Sequence, residues 1–174
     1  AMQIIDKDRE ARSRDLQIKE KMETIVLLTH EHYDHISGVN WIRNNMNSVL
    51  VFCSYKCSNL LGDSHKNISA FSNVLYMDKE MDKSLEEYGW DLNYTCYADK
   101  TFDDEMEFDW EGHHFFLKET PGHSKGSICI IMDDQYLFSG DSLVTGYPTI
   151  TRLPGGSKKE FQEITIPFLK SLDS

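Results

Sequence analysis

The sequence predicts an α/β protein in which sheets pack against helices on their outer faces. In the first half, short continuous apolar runs that are typical of buried strands alternate with helical patterns. The middle of the chain contains two pairs of strands joined by turn residues, and the last segment returns to a helical pattern. This mixed order of elements is typical of layered sheets with helices outside.

The first half begins with residues 24–28, a run rich in β-branched side chains whose abrupt polar end predicts a strand buried on both faces. A helix is predicted from Gly38 to Met46, with Val39, Ile42 and Met46 at core spacing and Trp41 also expected in the core. The other elements predicted here are a surface helix over residues 7–21, a strand over residues 49–52, a helix over residues 56–61, and an exposed helix or loop over residues 78–91.

Two hairpins are predicted in the second half. Residues 106–110 and 114–117 flank the turn dipeptide Glu111-Gly112, and residues 128–132 and 136–138 flank Asp133-Asp134. Alternating or apolar runs on both sides of such turns indicate antiparallel pairs.

A final helix is predicted to begin at Ser157, because Ser157 and Glu160 have the spacing of a capping box. Pro167 must kink or interrupt this helix, since proline lacks the N–H that a helix interior requires. Its expected core positions are Phe161, Ile164, Phe168 and Leu172.

Composition narrows the possible functions. The 174 residues suffice for one domain, and the formal net charge of −11 disfavours nucleic-acid binding because an acidic surface repels phosphate backbones. No stretch has the length and apolarity of a membrane span, and the first residues lack the pattern of a signal peptide. Four cysteines without a dense framework favour a reduced, cytoplasmic setting. We therefore expect a small-molecule substrate and neither a nucleic-acid nor a membrane partner.

Potential metal ligands are concentrated in three loops, each directly after an apolar strand or a turn. They are His30, His32, Asp34 and His35 in the first loop, His123 in the second and Asp141 in the third. Imidazole and carboxylate together suit zinc, with iron and manganese as competitors. Alternate residues of an extended loop point the same way, so His30 and His32 can bind one ion while Asp34 and His35 face a neighbouring position.

These three loops resemble the motifs of the metallo-β-lactamase superfamily, in its glyoxalase-II-like branch of small hydrolases. The resemblance covers residues 29–38, 120–127 and 138–142, and extends to residues 4–6 and 153–157. It implies a four-layer αβ/βα sandwich of two mixed sheets with outer helices. It also implies a first metal site at His30, His32 and His123, a second at Asp34 and His35, and a bridging carboxylate at Asp141.

The sequence departs from the family pattern in two places. The closing His, found in the family within a Gly-His-Gly after a helix like residues 157–172, is absent, and the strands ahead of Ile4 are missing or very short. We expect one domain over residues 1–174 that is either truncated at both ends or has lost these pieces. Without the closing His, the second metal is expected to bind more weakly, so that one or two Zn²⁺ ions are held.

The resemblance implies a zinc-dependent hydrolase that uses a metal-bound hydroxide, with a thioester or related ester as the preferred substrate. Asp34 is the expected catalytic residue, because a carboxylate beside the nucleophile can orient it and take up a proton. A bridging Asp makes antibiotic hydrolysis less expected, since true class-B β-lactamases usually carry Cys or Ser there. Two alternatives stay open: a mononuclear iron persulfide dioxygenase using His30, His123 and Asp141, and a non-catalytic metal-binding module with an incomplete second site.

Overall fold

The first sheet is parallel. The computed structural model describes residues 24–72 and 90–172, and within them the strands of this sheet run in the order β1-β2-β3. Because parallel strands need crossover connections, helices separate them along the chain. The elements are β1 (Thr24–Leu27), α1 (Tyr33–Ile36), α2 (Val39–Asn45), β2 (Val49–Ser54), α3 (Tyr55–Leu61) and β3 (Lys100–Phe102).

The second sheet is antiparallel and contains both predicted hairpins. Its strands, in the order β4-β5-β6-β7, are β4 (Glu105–Trp110), β5 (His113–Glu119), β6 (Ile128–Met132) and β7 (Tyr136–Phe138). Each outer hairpin turns through two residues with positive φ, Glu111-Gly112 and Asp133-Asp134. Paired positive φ angles match the twist of the flanking strands, which explains why Gly and Asp occupy these turns.

Two apolar clusters hold the layers together. Between the sheets lie Phe52, Phe102, Phe108, Leu117, Ile128 and Ile130. Outside the first sheet, helices α1, α2 and α3 pack through Tyr33, Ile36, Val39, Cys57 and Leu61 onto Val51 and Cys53. Residues 51–53 alternate between the two clusters, as the period of two along a strand requires. The predicted fold class, two sheets with outer helices, is confirmed.

The C-terminal helical segment is irregular at its centre. It comprises α4 (Lys158–Glu160), one π-helical turn (Phe161–Thr165) and α5 (Ile166–Ser171). The predicted cap is confirmed, because the Ser157 hydroxyl accepts a hydrogen bond from the Glu160 N–H at 3.2 Å. Pro167 lies at the start of α5, where its missing N–H costs least. The Thr165 hydroxyl donates to the Pro121 carbonyl at 2.6 Å, which fixes the segment against the loop after β5.

Four predicted core positions are wrong. Trp41 is 65% exposed, because it lies two residues after the buried Val39 and so faces away from the sheet. Met46 is exposed because the helix ends at Asn45. The backbone of Met46 is extended, so its side chain no longer lies on the buried face of the helix. Ile164 and Leu172 are exposed on the C-terminal segment, where the π-helical turn shifts the spacing of the buried face.

Several expectations concern residues outside the described ranges, among them the segments 4–6, 7–21 and 78–89. Within the described ranges, no helix has the length and apolarity needed to cross a bilayer. The four cysteines are free thiols and are buried, as is common for free cysteine, which packs as a small apolar side chain.

Candidate metal centre

The first ligand loop follows β1 and lies in the protein interior. The backbone N–H of Leu28 still donates to the Phe52 carbonyl at 3.0 Å, after which the chain leaves the sheet. His30, Glu31 and His32 are almost fully buried, which is unusual for three polar residues in a row. The two imidazoles point into a common site, whereas the Glu31 carboxylate points to the loop that follows His123.

Three histidines meet in this site, two from the loop after β1 and one from the loop after β5. The ligand atoms of His30, His32 and His123 all lie within 4.8 Å of one another, and the His32 Nδ1 is 3.0 Å from the His123 Nε2. The His30 Nε2 is buried and has no hydrogen-bond partner among the described residues. Buried nitrogens without partners are costly, and a shared cation would satisfy them.

Electrostatics keep this cluster neutral. Burial, together with the neighbouring imidazoles, lowers the pKa of His30 well below its usual value. Burial and the proximity of His123 lower the pKa of His32 to about 4, although nearby carboxylates oppose the shift. Burial also lowers the pKa of His123. Neutral imidazole is the form that binds a metal ion, so the three rings are ready to act as ligands at neutral pH.

The orientation of His123 is set from its far side. Its Nδ1 lies 2.8 Å from the Ile150 carbonyl, which can only accept, so Nδ1 carries the proton. The lone pair is then on Nε2, the atom that faces His32. A backbone carbonyl that fixes the tautomer of a histidine is a frequent feature around metal sites.

A second group of donors lies beside the first, on its more exposed side. The ligand atoms of His30, His35 and Asp141 also lie within 4.8 Å of one another. Asp141 is central, because its Oδ1 is 3.2 Å from the His35 Nε2 and its Oδ2 is 3.5 Å from the His123 Nε2. The carboxylate therefore contacts a histidine of each group, as a bridging ligand must.

The charges of this second group are coupled. Burial acts to lower the pKa of His35, but the hydrogen bond to Asp141 and the charges of Asp34 and Asp141 raise it above its usual value. The same hydrogen bond, opposed by burial, lowers the pKa of Asp141. The His35 imidazole and the Asp141 carboxylate thus each favour the charged form of the other, and a metal ion bound here would take the place of the imidazole proton.

Five of the six expected ligands are brought together as groups, and the sixth lies next to them. Asp34 belongs to neither group: its Oδ2 is 3.7 Å from the His35 Nε2, and its side chain is 36% exposed. Its predicted roles as a ligand and as a catalytic residue stay predictions. His113 and His114 lie at the opposite end of β5 and pair with Asp133 and Asp109, as expected for residues outside the metal centre.

Glu31 is a part of the site that the sequence analysis did not assign. Its Oε2 accepts hydrogen bonds from the Ser124 hydroxyl at 2.9 Å and from the Gly126 N–H at 3.2 Å. Burial raises the pKa of Glu31, although these hydrogen bonds act in the opposite direction. The signal in the sequence was the alternation itself, because a residue between two ligands in an extended loop must point away from the ion.

Almost the whole chain matches one known protein family. The family model described as "Metallo-beta-lactamase superfamily" matches residues 5–173.

The chain belongs to the metallo-beta-lactamase superfamily.

Among curated members of the superfamily, the chain is 28% identical over 159 residues to the probable metallo-hydrolase YqgX of Bacillus subtilis, covering 90% of this chain and 67% of that protein. It is 27% identical over 121 residues to the hydroxyacylglutathione hydrolase of Klebsiella pneumoniae, covering 70% of this chain and 34% of that enzyme. The chain thus spans about two thirds of the first relative and about a third of the second. Membership supports a metal-dependent hydrolase at the general level.

Solved structures of the superfamily have the same fold. The BLEG-1 B3 metallo-beta-lactamase superposes with a TM-score of 0.64 at 27% identity, covering 92% of this chain and 71% of that chain. An archaeal superfamily protein, ST1585 from Sulfolobus tokodaii, superposes with a TM-score of 0.60 at 21% identity, covering 88% of this chain and 59% of that chain. The predicted αβ/βα sandwich is therefore confirmed by comparison as well as by topology.

The donors fit a metal ion of the type that this superfamily uses. Three neutral imidazoles in a buried cluster are a donor set that could hold a metal ion. Asp141 and His35 add a carboxylate and an imidazole on the exposed side. The His30 Nε2 is the most direct indication, because it is buried and has no hydrogen-bond partner among the described residues.

Proposed function

We propose that this protein is a zinc-dependent hydrolase of thioesters or related esters of small molecules. The observation that carries the proposal is the buried cluster of His30, His32 and His123, with ligand atoms within 4.8 Å of one another and a partnerless Nε2 on His30. When bound, a zinc ion at such a site acidifies coordinated water to a pKa near 7 and polarises the scissile carbonyl group.

In this proposal the first ion is held by the three-histidine cluster, and a second by His35, Asp141 and Asp34. The second set is more exposed, with side chains about a third accessible to solvent, which suits the side from which the substrate enters. Asp141 links the two sets through its contacts to His35 and His123. The ion of the first site is expected to bind more tightly, because its donors are buried and already neutral.

Asp34 acts as the base in this proposal. It lies at the first turn of α1, on the open side of the ligands, and its carboxylate is close enough to His35 to be held by it. From this position Asp34 takes up the proton that the attacking water releases and returns it to the departing thiolate. A positioned carboxylate of this kind contributes about 10²- to 10⁴-fold to the rate.

The choice of a thioester rests on the relatives. Several curated proteins that match the chain are named hydroxyacylglutathione hydrolase, from Klebsiella pneumoniae, Glaesserella parasuis and Citrobacter koseri. The residue motifs around His30, His123 and Asp141 also resemble that branch of the superfamily. An acyl group carried on a thiol is therefore the substrate class proposed for this chain, in the cytoplasm of the cell.

The experiment is thioester hydrolysis by the zinc-loaded protein, with Asp34→Ala as the test variant and Asp109→Ala as the matched control. Asp109 is an exposed aspartate near the end of β4, and it pairs with His114 at the end of β5 that is remote from His123. We expect Asp34→Ala to lose at least about 100-fold in kcat and Asp109→Ala to keep wild-type turnover. Unchanged turnover of Asp34→Ala would refute its role, and no turnover of any thioester or phosphodiester by the wild type would favour the non-catalytic module.

A mononuclear iron persulfide dioxygenase is the second candidate. Asp141 lies 3.5 Å from His123 and groups with His30, so two histidines and one carboxylate are available as the facial triad that non-haem iron uses. Metal analysis of protein purified without added metal separates the candidates. Predominantly iron, with sulfite formed from a persulfide substrate, would reject the hydrolase proposal.

A further inference from the structure

Glu31 occupies an unusual position for a carboxylate. It is completely buried, lies between two proposed ligands in the sequence, and has no basic side chain in contact with it among its described hydrogen bonds. Burying a carboxylate without a counter-ion costs several kcal/mol unless hydrogen bonds compensate it. Glu31 receives such bonds from a single segment, residues 124–126, which begins directly after His123.

The segment that Glu31 contacts is held from both sides. The Gly126 N–H donates to the Glu31 Oε2 at 3.2 Å, while the Gly126 carbonyl accepts from the Ser54 hydroxyl at 2.9 Å. Gly126 has no room for a side chain, since a Cβ there would lie 2.5 Å from the Glu31 Oε2 and from the Cys57 Cα. The Ser124 hydroxyl donates to the Glu31 Oε2 at 2.9 Å and therefore accepts from the Ser127 hydroxyl at 2.8 Å. The backbone next to His123 is thus closely confined.

These contacts join two loops that are distant in sequence. His32 and His123 are 91 residues apart, and their ring nitrogens face each other at 3.0 Å. Glu31 and Ser124, which are their immediate neighbours, are joined on the opposite side of the same two backbones. A displacement of residues 124–126 relative to Glu31 would carry His123 with it. Metal sites require ligand positions to within about 0.2 Å, so this displacement would weaken ion binding.

We propose that Glu31 is a positioning residue for the metal centre: it couples the His30–His32 loop to the His123 loop and sets the three imidazoles before an ion binds. The proposal rests on the proposed ligand set, but not on the reaction or the substrate. Zinc affinity that depends on Glu31 would support it even in a protein that hydrolyses no thioester, so the two proposals fail separately.

Zinc affinity is measured by competition with a chromophoric chelator, alongside the unfolding free energy of the metal-free protein in urea. The variants are Glu31→Ala, Glu31→Gln, Ser124→Ala, the Glu31→Ala/Ser124→Ala pair, and the control Glu119→Gln. Glu119 is also a buried glutamate, but it pairs with Lys56 on α3, and among the described residues its side chain makes no hydrogen bond to a ligand loop. It therefore matches Glu31 in residue type and burial while differing in role.

We expect Glu31→Ala to raise the Kd for zinc by about 10- to 100-fold, the range typical of lost partners behind metal ligands. Glu31→Gln should raise it less, because the amide oxygen still accepts from Ser124 and Gly126. In the double variant, Ser124→Ala should add little to Glu31→Ala, since both remove the same hydrogen bond. Glu119→Gln should lower the unfolding free energy and leave the Kd within about twofold.

Two results would overturn the proposal. One is a folded Glu31→Ala or Glu31→Gln protein that binds zinc as tightly as the wild type. The other is a loss of zinc affinity in Glu119→Gln equal to that in the Glu31 variants, because a general loss of stability would then account for both. If Glu31→Ala does not fold, Glu31→Gln and Ser124→Ala report on the same hydrogen bond, and a wild-type Kd in both variants equally refutes positioning.

Discussion

Mild acid should destabilise the metal-free protein through the histidines of its metal centre. In the folded state the pKa of His32 is lowered to about 4, chiefly by burial, from an ordinary value of 6.5. Between these two pH values the unfolded chain binds a proton that the folded protein excludes. The stability that His32 contributes is therefore fully present above pH 6.5 and is lost as the pH falls towards 4.

The size of the effect follows from the same two values. The difference between 6.5 and about 4, at ~1.4 kcal/mol for each pH unit, gives about 3 kcal/mol for His32 alone. His30 and His123 act with the same sign, because burial lowers the pKa of each. His35 has a raised pKa, so the stability that it contributes is fully present below pH 6.5 and is lost only as the pH rises above that value. Because the pKa of Asp141 is lowered, the stability that it contributes is lost only below pH 3.8.

Urea unfolding of the metal-free protein, followed by tryptophan fluorescence between pH 7 and 4, measures this loss. His32→Gln should remove about 3 kcal/mol of the pH dependence, whereas the control His65→Gln, which alters an exposed histidine, should leave it unchanged. A wild-type unfolding free energy that is flat from pH 6.5 to 4, or a His32→Gln variant with the full pH dependence, would refute the reasoning.

Three further outcomes are expected. Leu117→Ala removes a fully buried side chain between the sheets and should cost about 2–5 kcal/mol in urea unfolding, whereas Leu143→Ala, at an exposed leucine, should change stability by less than about 0.5 kcal/mol. Ser157→Ala removes the cap of α4 and should cost about 1 kcal/mol by the same measurement. Zinc at about 100 times its Kd should raise the unfolding free energy by about 2.7 kcal/mol, a gain that a chelator reverses and that His123→Ala abolishes.

The side chains of the two donor groups could be predicted from the sequence because each lies in a short loop directly after a strand or a turn. In the loop after β1, the alternation of an extended backbone alone places His30 and His32 on one side. The turns could be found as well, since Glu111-Gly112 and Asp133-Asp134 meet a backbone requirement that few residues satisfy.

What the sequence could not supply was the set of contacts between distant segments. From the sequence alone, Glu31 would be expected on the surface. In the folded protein it is buried, because the loop containing Ser124 and Gly126 packs against it. The orientation of His123 depends on the Ile150 carbonyl. Every residue has a backbone carbonyl, so no residue type in the sequence marks this acceptor. Trp41 was misplaced for the opposite reason, because helical spacing indicates a face but not whether another layer covers it.

The three-histidine cluster draws its members from both halves of the sandwich. His30 and His32 follow a strand of the parallel sheet, whereas His123 follows a strand of the antiparallel sheet. Neither half alone offers more than a bidentate chelate for that ion. For an ion held by the proposed ligands, the chelate effect would exist only after the sheets have docked, and the metal would act as a thermodynamic cross-link between them. Ion release and separation of the sheets should then be one linked equilibrium.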